Sequence, residues 1–334
     1  HFGVHQNNSM WHAIAMEWAI WLEKNLKKKK VKDIFISGDF FHYRNEIAVN
    51  TIHFATDVLT IWKDFNVVIL IGNHDSYYKD RVDVNSLSLL NGWNNITVID
   101  TPTKVTSFGK ELLFCPWGTT PDELTRSDII FGHFEIESFK MNHFKVCTTG
   151  MKSRDLLKNS DLVISGHFHI REEREYKNGT ILYLGNPFQM DFGDVETKKG
   201  YYILDIKTKK YNFYPNTVSP IHKKVFLSNL VKFSGITPEV KKLFNNNIVK
   251  FIIDRHIAPD EIELLLTIFS ELNAMSITTD YAINFDRFGL DDQDLGDISG
   301  VDISIAIEEF VNLLDIDNKT DVIEHTLQLY KKSK

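Results

Sequence analysis

Short apolar runs that end in Gly and then a polar side chain punctuate the first half of this chain. Ile34-Phe-Ile-Ser leads through Gly38 to Asp39. Val67-Val-Ile-Leu-Ile leads through Gly72 to Asn73, His74 and Asp75. Ile129-Ile-Phe leads through Gly132 to His133, and Leu162-Val-Ile-Ser through Gly166 to His167, Phe168 and His169. Apolar runs of this length, closed by a turn residue, read as buried strands. Ligands of open α/β sheets bind just beyond the carboxyl ends of the strands. Glycine lets the backbone turn sharply and approach such a site closely. The pattern therefore predicts a sheet whose strand ends deliver Asp, Asn and His to one place.

Helical periodicity fills the intervals. Ser9 is placed to cap a helix over Met10–Leu26, with Trp11, Ala15, Trp18 and Leu22 on one stripe and Ile14 and Trp21 beside it. That stripe reads as a core face, and Lys27 to Lys30 as a solvated helix end. A second helix, around Glu46–Lys63, separates the strands ending at Gly38 and Gly72 and makes a parallel βαβ unit. Short strands follow from Ile96 to Trp117. Thr180–Leu184 and Gly200–Ile206 are expected as antiparallel closing strands. The fold class is α/β, a mixed β-sandwich flanked by helices.

The pattern changes near Tyr214-Pro215-Asn216. Ile248–Asp254 reads as a strand, and Pro259-Asp260-Glu261 as a helix start followed by the stripe Ile262, Leu265, Phe269 and Leu272. Ile277–Phe285 reads as another strand. This second unit is a small α/β cap domain. An acidic stretch from Asp286 to Gly300 reads as a linker; the spacing of Asp291, Asp292 and Asp294 is wrong for a calcium loop. Two amphipathic helices close the chain, one lined by Ile303, Ile307, Phe310 and Leu314, the other by Ile323, Leu327 and Tyr330. The expected division is 1–205, 206–285, 286–300 and 301–334.

Composition narrows the class. At 334 residues the chain has room for one substantial core and a smaller one. No run approaches the roughly 20 apolar residues of a membrane span. Cys115 and Cys147 make no disulfide framework and read as reduced core thiols of a cytoplasmic protein. A formal net charge of -7 argues against general affinity for nucleic acid, yet it leaves a nuclease open, because bound cations and a partner can supply positive charge.

The strand-end residues form a mixed oxygen and imidazole set suited to manganese or iron, and more loosely to magnesium and zinc. They are too many for one ion. Asp39 as a bridging carboxylate, with imidazoles on either side, describes a two-metal site acting on phosphorus. His74 is the natural donor of a proton to the leaving oxygen, Asp75 is placed to orient its ring, and His42 to contact the phosphate or buttress the site.

Gly38-Asp-Phe-Phe-His42, Gly72-Asn-His-Asp75, Gly132-His133 and Gly166-His-Phe-His169 together resemble the motif series of the calcineurin-like metallophosphoesterase superfamily, over residues 1–205. Gly185-Asn-Pro-Phe with Phe192-Gly193 is similar to the SbcD-type DNA-repair exonuclease branch, and Gly150-Met-Lys-Ser153 to the T-even-type phage recombination endonuclease subunit. The resemblance implies His1, Asp39, Asn73, His133, His167 and His169 as ligands of two divalent ions, manganese foremost. It implies His74 as catalytic acid, supported by Asp75, and His42 near the phosphate. It further implies double-stranded exonuclease and single-stranded endonuclease action on DNA. The implied partner is an SMC-like ABC ATPase of SbcC type that docks on the C-terminal helices, the implied assembly a homodimer within a heterotetramer, and the implied location the cytoplasm, a host's if the chain is viral. The family's first motif is Asp-x-His, and the chain opens on His1-Phe-Gly3. An upstream Asp and strand are therefore expected. Two other readings compete: an esterase for small phosphoesters, which would not need the segments after residue 205, and a non-catalytic scaffold, which would not need so full a ligand set.

Overall fold

A computed structural model describes residues 1–143, 145–232, 235–255, 257–282, 307–308, 311–312 and 318–332. The apolar runs pair into two facing sheets. The first holds three parallel strands in chain order, β1 (Asp33–Ile36), β2 (Asn66–Leu70) and β3 (Ile96–Ile99). The second comprises β4 (Thr103–Ser107), β5 (Lys110–Cys115), β6 (Ile129–Gly132), β7 (Leu162–Ser165), β8 (Glu172–Tyr176) and β9 (Gly179–Tyr183), in the spatial order β4-β5-β6-β7-β9-β8. Its inner strands β5, β6, β7 and β9 run parallel, and β4 and β8 are antiparallel edges.

The two-residue period of a strand sorts side chains between layers. In β2, Val67 and Ile69 face the helices Ser9–Lys28 and Val49–Ile61, while Val68 and Leu70 face the second sheet. In β6 and β7, Ile129, Phe131, Leu162 and Ile164 join Leu70 and Ile99 in the sandwich interior, and Ile130 and Val163 point to the far side. The expected sandwich with flanking helices is the architecture observed.

Some local expectations change. The first long helix spans Ser9–Lys28 and is capped by Asn8, whose side chain accepts the Met10 N–H at 2.8 Å. Asn8 has extended backbone and Ser9 is already helical, so the cap falls one residue earlier than expected. Trp11, Ile14, Ala15, Trp18 and Leu22 are buried as the stripe required. Strand β9 is not an antiparallel closing strand. It pairs parallel with β7, and its antiparallel partner is β8, joined to it by a tight turn at Lys177-Asn178. The hairpin puts β8 on the edge and returns β9 into the sheet beside β7. Strands β10 (Gly200–Asp205) and β11 (Lys210–Pro215) do pair antiparallel, in a sheet of their own. They pair across residue 205, so a division there would separate bonded strands.

A second core lies beyond this hairpin. Strands β12 (His222–Phe226), β13 (Ile248–Ile253) and β14 (Ser276–Tyr281) run parallel, and Val225, Phe244, Val249, Phe251 and Phe269 pack between them and the helices Pro238–Phe244 and Pro259–Ser270. A helix over Lys319–Lys332 carries the expected Ile323, Leu327 and Tyr330. The acidic stretch with Asp291, Asp292 and Asp294, and most of the helix expected around residues 303–314, lie outside the described residues. Cys115 and Cys147 are buried free thiols. Among the described residues no helix is long and apolar enough to cross a membrane.

Candidate metal centre

Because β1 and β2 are parallel, and β6 and β7 are parallel, their carboxyl ends lie together at one rim of the sandwich. Asp39 follows β1, Asn73 and His74 follow β2, His133 follows β6, and His167 and His169 follow β7. The glycines are sterically required at two places. A Cβ on Gly38, whose φ is 99°, would collide with the His133 ring, and one on Gly72 would collide with the Asp39 carboxylate. Asp39 and His167 themselves have φ of 56° and 86°, a left-handed backbone rare outside glycine and typical of strained functional positions.

Asp39 stands at the centre and is 6% exposed. Its Oδ2 lies 3.6 Å from His1 Nε2 and 3.4 Å from His133 Nε2. Its Oδ1 accepts the His74 N–H at 2.9 Å. Burial alone would raise its pKa, but the neighbouring His133 and His74 and that N–H hold it below the ordinary carboxylate value. Asn73 Oδ1 is 2.9 Å from both His133 Nε2 and His167 Nδ1. His1 Nε2 faces His169 Nε2 at 2.9 Å, and His1 Nδ1 faces His42 Nδ1 at 3.4 Å. Ligand atoms of two triads, His1 with His42 and His74, and Asp39 with His133 and His167, each lie within 4.8 Å of one another.

The donor set fits divalent cations. His133 Nδ1 donates to the Ser37 carbonyl at 2.6 Å, which leaves Nε2 with its lone pair toward Asp39 and Asn73. Burial, followed by neighbouring positive charge, pushes the His42 and His167 rings down to about 4, and burial also lowers His169. These rings are thus held neutral, the form that ligates a metal. Oxygen and nitrogen lone pairs converging in a buried place are an arrangement that a cation relieves.

The sequence-predicted residues meet here, with one change of role. Asp75 does not touch the His74 ring. Its carboxylate accepts the N–H groups of Phe40 at 3.2 Å, Phe41 at 2.9 Å and Gly72 at 2.9 Å, and so binds the two ligand-bearing loops together. Burial and the Asp39 charge raise its pKa to about 7. The His74 ring is instead held by the His42 carbonyl, 2.6 Å from Nδ1.

Several supporting residues escaped the sequence reading. Arg44 donates from Nε and Nη2 to the Asn73 carbonyl at 3.1 and 2.6 Å. The Trp117 ring lies 5.1 Å from that of His167. Lys199 donates to the His169 carbonyl at 2.8 Å and to Asp194 at 2.5 Å, with Asn186 and the Met190 N–H also on Asp194. The sequence had singled out Gly185-Asn-Pro-Phe and Phe192-Gly193 around this network, but nothing local marked Lys199.

Comparison with known proteins agrees with this geometry. Residues 11–171 match the family model of the calcineurin-like phosphoesterases. The chain is 29% identical over 234 residues to "Exonuclease subunit 1" of Enterobacteria phage T4, an alignment spanning 66% of this chain and 66% of the length of that protein. A solved structure described as a novel archaeal phosphodiesterase matches at 14% identity and a TM-score of 0.36, over 60% of this chain and 93% of the other, which is too little to carry an argument. The match over residues 11–171, the phage relative and the clustered donor set together support a metal-dependent phosphodiester hydrolase similar to the calcineurin-like phosphoesterases.

Proposed function

We propose that this chain is a two-metal DNA nuclease subunit that works with an SMC-like ABC ATPase, as an exonuclease on double strands and an endonuclease on single strands. The observation that carries this reading is the position of Asp39 Oδ2 between His1 and His133, where one carboxylate oxygen serves two ligand groups. His1, Asp39, Asn73, His133, His167 and His169 hold two divalent ions in this reading, manganese foremost among them. Bound there, such ions supply positive charge to a phosphate and acidity to a water, as phosphodiester hydrolysis requires.

The chain's own residues do the rest. The His42 carbonyl accepts a hydrogen bond from the His74 Nδ1–H, which leaves Nε2 to carry the proton given to the leaving oxygen. His42 walls the same pocket with its ring beside His1. Asp75 and Arg44 act as positioning residues, because they hold the backbone of the ligand loops. The phage relative is an exonuclease subunit by name, which supports DNA as substrate and a multi-subunit assembly. The helix Lys319–Lys332, with Ile323 and Leu327 on one face, is the proposed dock for the ATPase.

The test is cleavage of double- and single-stranded DNA with manganese, with magnesium and after chelation, with and without the ATPase. Metal-dependent cutting of DNA supports the reading. Hydrolysis of small phosphoesters with no cutting of any DNA would overturn it.

A further inference from the structure

Beyond His74 the chain forms a loop that none of the preceding chemistry uses. Tyr77 and Tyr78 are 49% and 37% exposed. Their rings meet edge to face, 4.9 Å apart at 90°, and the Arg81 guanidinium lies 3.9 Å over the Tyr78 ring. Exposed aromatic side chains at a loop tip forfeit burial, yet this loop is firmly built. Ser76 and Asn85 pair as an antiparallel bridge, and the Tyr77 N–H donates to the Val84 carbonyl at 3.0 Å. The Ser76 hydroxyl shares its one proton between the carbonyls of Tyr78, at 2.9 Å, and Arg81, at 2.5 Å.

The loop is also tied to the metal centre at two points. Its first tyrosine is three residues from His74, a Cα separation of at most about 11 Å. Trp117, whose ring lies against His167, donates from Nε1 to the Lys79 carbonyl at 3.0 Å. These two ties set the loop near the site, so a strand whose phosphate sits at His74 has its neighbouring nucleotides within reach of it. A net charge of -7 gives the chain little Coulombic hold on a polyanion, and stacking offers a hold that does not need charge.

We propose that Tyr77 and Tyr78, with Arg81 behind them, form a stacking platform for unpaired nucleobases beside the scissile phosphate, so that the preferred substrate at this site is a single-stranded or frayed end. This rests on the nuclease reading above.

The test compares wild type, Tyr77→Ala/Tyr78→Ala and Tyr77→Phe/Tyr78→Phe, loaded with manganese. Each is assayed on a single-stranded oligonucleotide, the same oligonucleotide with abasic sites, and bis(4-nitrophenyl) phosphate. Binding of an oligonucleotide carrying 2-aminopurine is followed by fluorescence in parallel. The alanine pair should raise KM for the normal oligonucleotide about tenfold or more and abolish 2-aminopurine quenching. It should leave the small phosphodiester unaffected. The phenylalanine pair should behave as wild type, and the abasic strand should not distinguish the variants. If wild type cuts the oligonucleotide and the alanine pair shows the same KM, the platform is refuted while the nuclease reading stands. Loss of small-diester hydrolysis in the alanine pair would make the loop structural and would equally refute the platform. If wild type hydrolyses the small diester but cuts no oligonucleotide, the nuclease reading falls and takes the platform with it.

Discussion

The imidazole of His74 is held by the backbone carbonyl of His42, which accepts its Nδ1–H at 2.6 Å. A carbonyl can only accept, so the arrangement assigns the tautomer and presents Nε2 to the site. His74→Asn should abolish phosphodiester cleavage and leave metal stoichiometry near the wild-type value. Activity and manganese content are measured on the same preparation. Because the His74 ligand atom lies with those of His1 and His42, loss of metal together with activity would make His74 a ligand rather than the acid.

Asp39→Asn keeps the shape of the side chain and removes its charge. The charge faces both His1 and His133 through one oxygen, so both ions should be held more weakly. Calorimetric titration with manganese should show affinity lower by at least about tenfold at each site, since loss of a close charge partner typically exceeds about 1.4 kcal/mol. A variant that loses only one of two binding events would show that Asp39 serves a single ion.

Lys199 and Asp194 are a buried ion pair, 4% and 6% exposed. Burial opposes the Asp194 charge, but Lys199 and the hydrogen bonds from Lys199, Met190 and Asn186 outweigh it and keep the carboxyl below its ordinary pKa. Lys199→Met leaves that charge buried alone and should cost about 3–5 kcal/mol, read as a lower Tm. It should also weaken metal binding, because the His169 carbonyl loses its donor. The double variant Lys199→Met/Asp194→Leu should recover part of the Tm but not the metal affinity. Recovery of both would mean that Lys199 does not position His169.

His222 begins the first strand of the second core, stacks on Trp11 at 5.9 Å and meets Phe192 edge-on. Its Nδ1 is buried without a hydrogen-bond partner. Burial lowers its pKa from 6.5 to about 4, against the attraction of Asp191 and Asp194 and with a small push from His5. Above pH 6.5 the ring is neutral in folded and unfolded chains alike. As pH falls from 6.5 toward 4 only the unfolded chain takes up the proton, so stability is lost through that window, by about 3 kcal/mol at its acid end. Tm followed against pH should fall less steeply for His222→Phe. Equal slopes would show that this ring does not govern the acid limb.

Leu327 lies on the face of the C-terminal helix that carries Ile323. If that face docks the ATPase, Leu327→Asp should reduce partner affinity at least tenfold in a calorimetric titration and leave metal loading unchanged. Unchanged affinity with a lowered Tm would mean that the helix serves its own chain.

The layers of the sandwich and the gathering of Asp, Asn and His at its strand ends were legible in the sequence because both are local. A strand buried on both faces must be apolar throughout, and a ligand at its end must follow a residue that permits the turn, so Gly38-Asp39 and Gly166-His167 announce themselves. Contacts between distant segments leave no such trace. That β9 returns beside β7, that Asp75 binds the Phe40 and Phe41 N–H groups rather than the His74 ring, and that Lys199 reaches the His169 carbonyl were decided only by the tertiary structure. Each depends on two chain segments meeting in one orientation. The amino-acid order determined which side chains could ligate a metal. The packing of the two sheets decided which nitrogens and oxygens face one another, because hydrogen bonds such as His133 Nδ1 to the Ser37 carbonyl orient each ring only once both strand ends are in place.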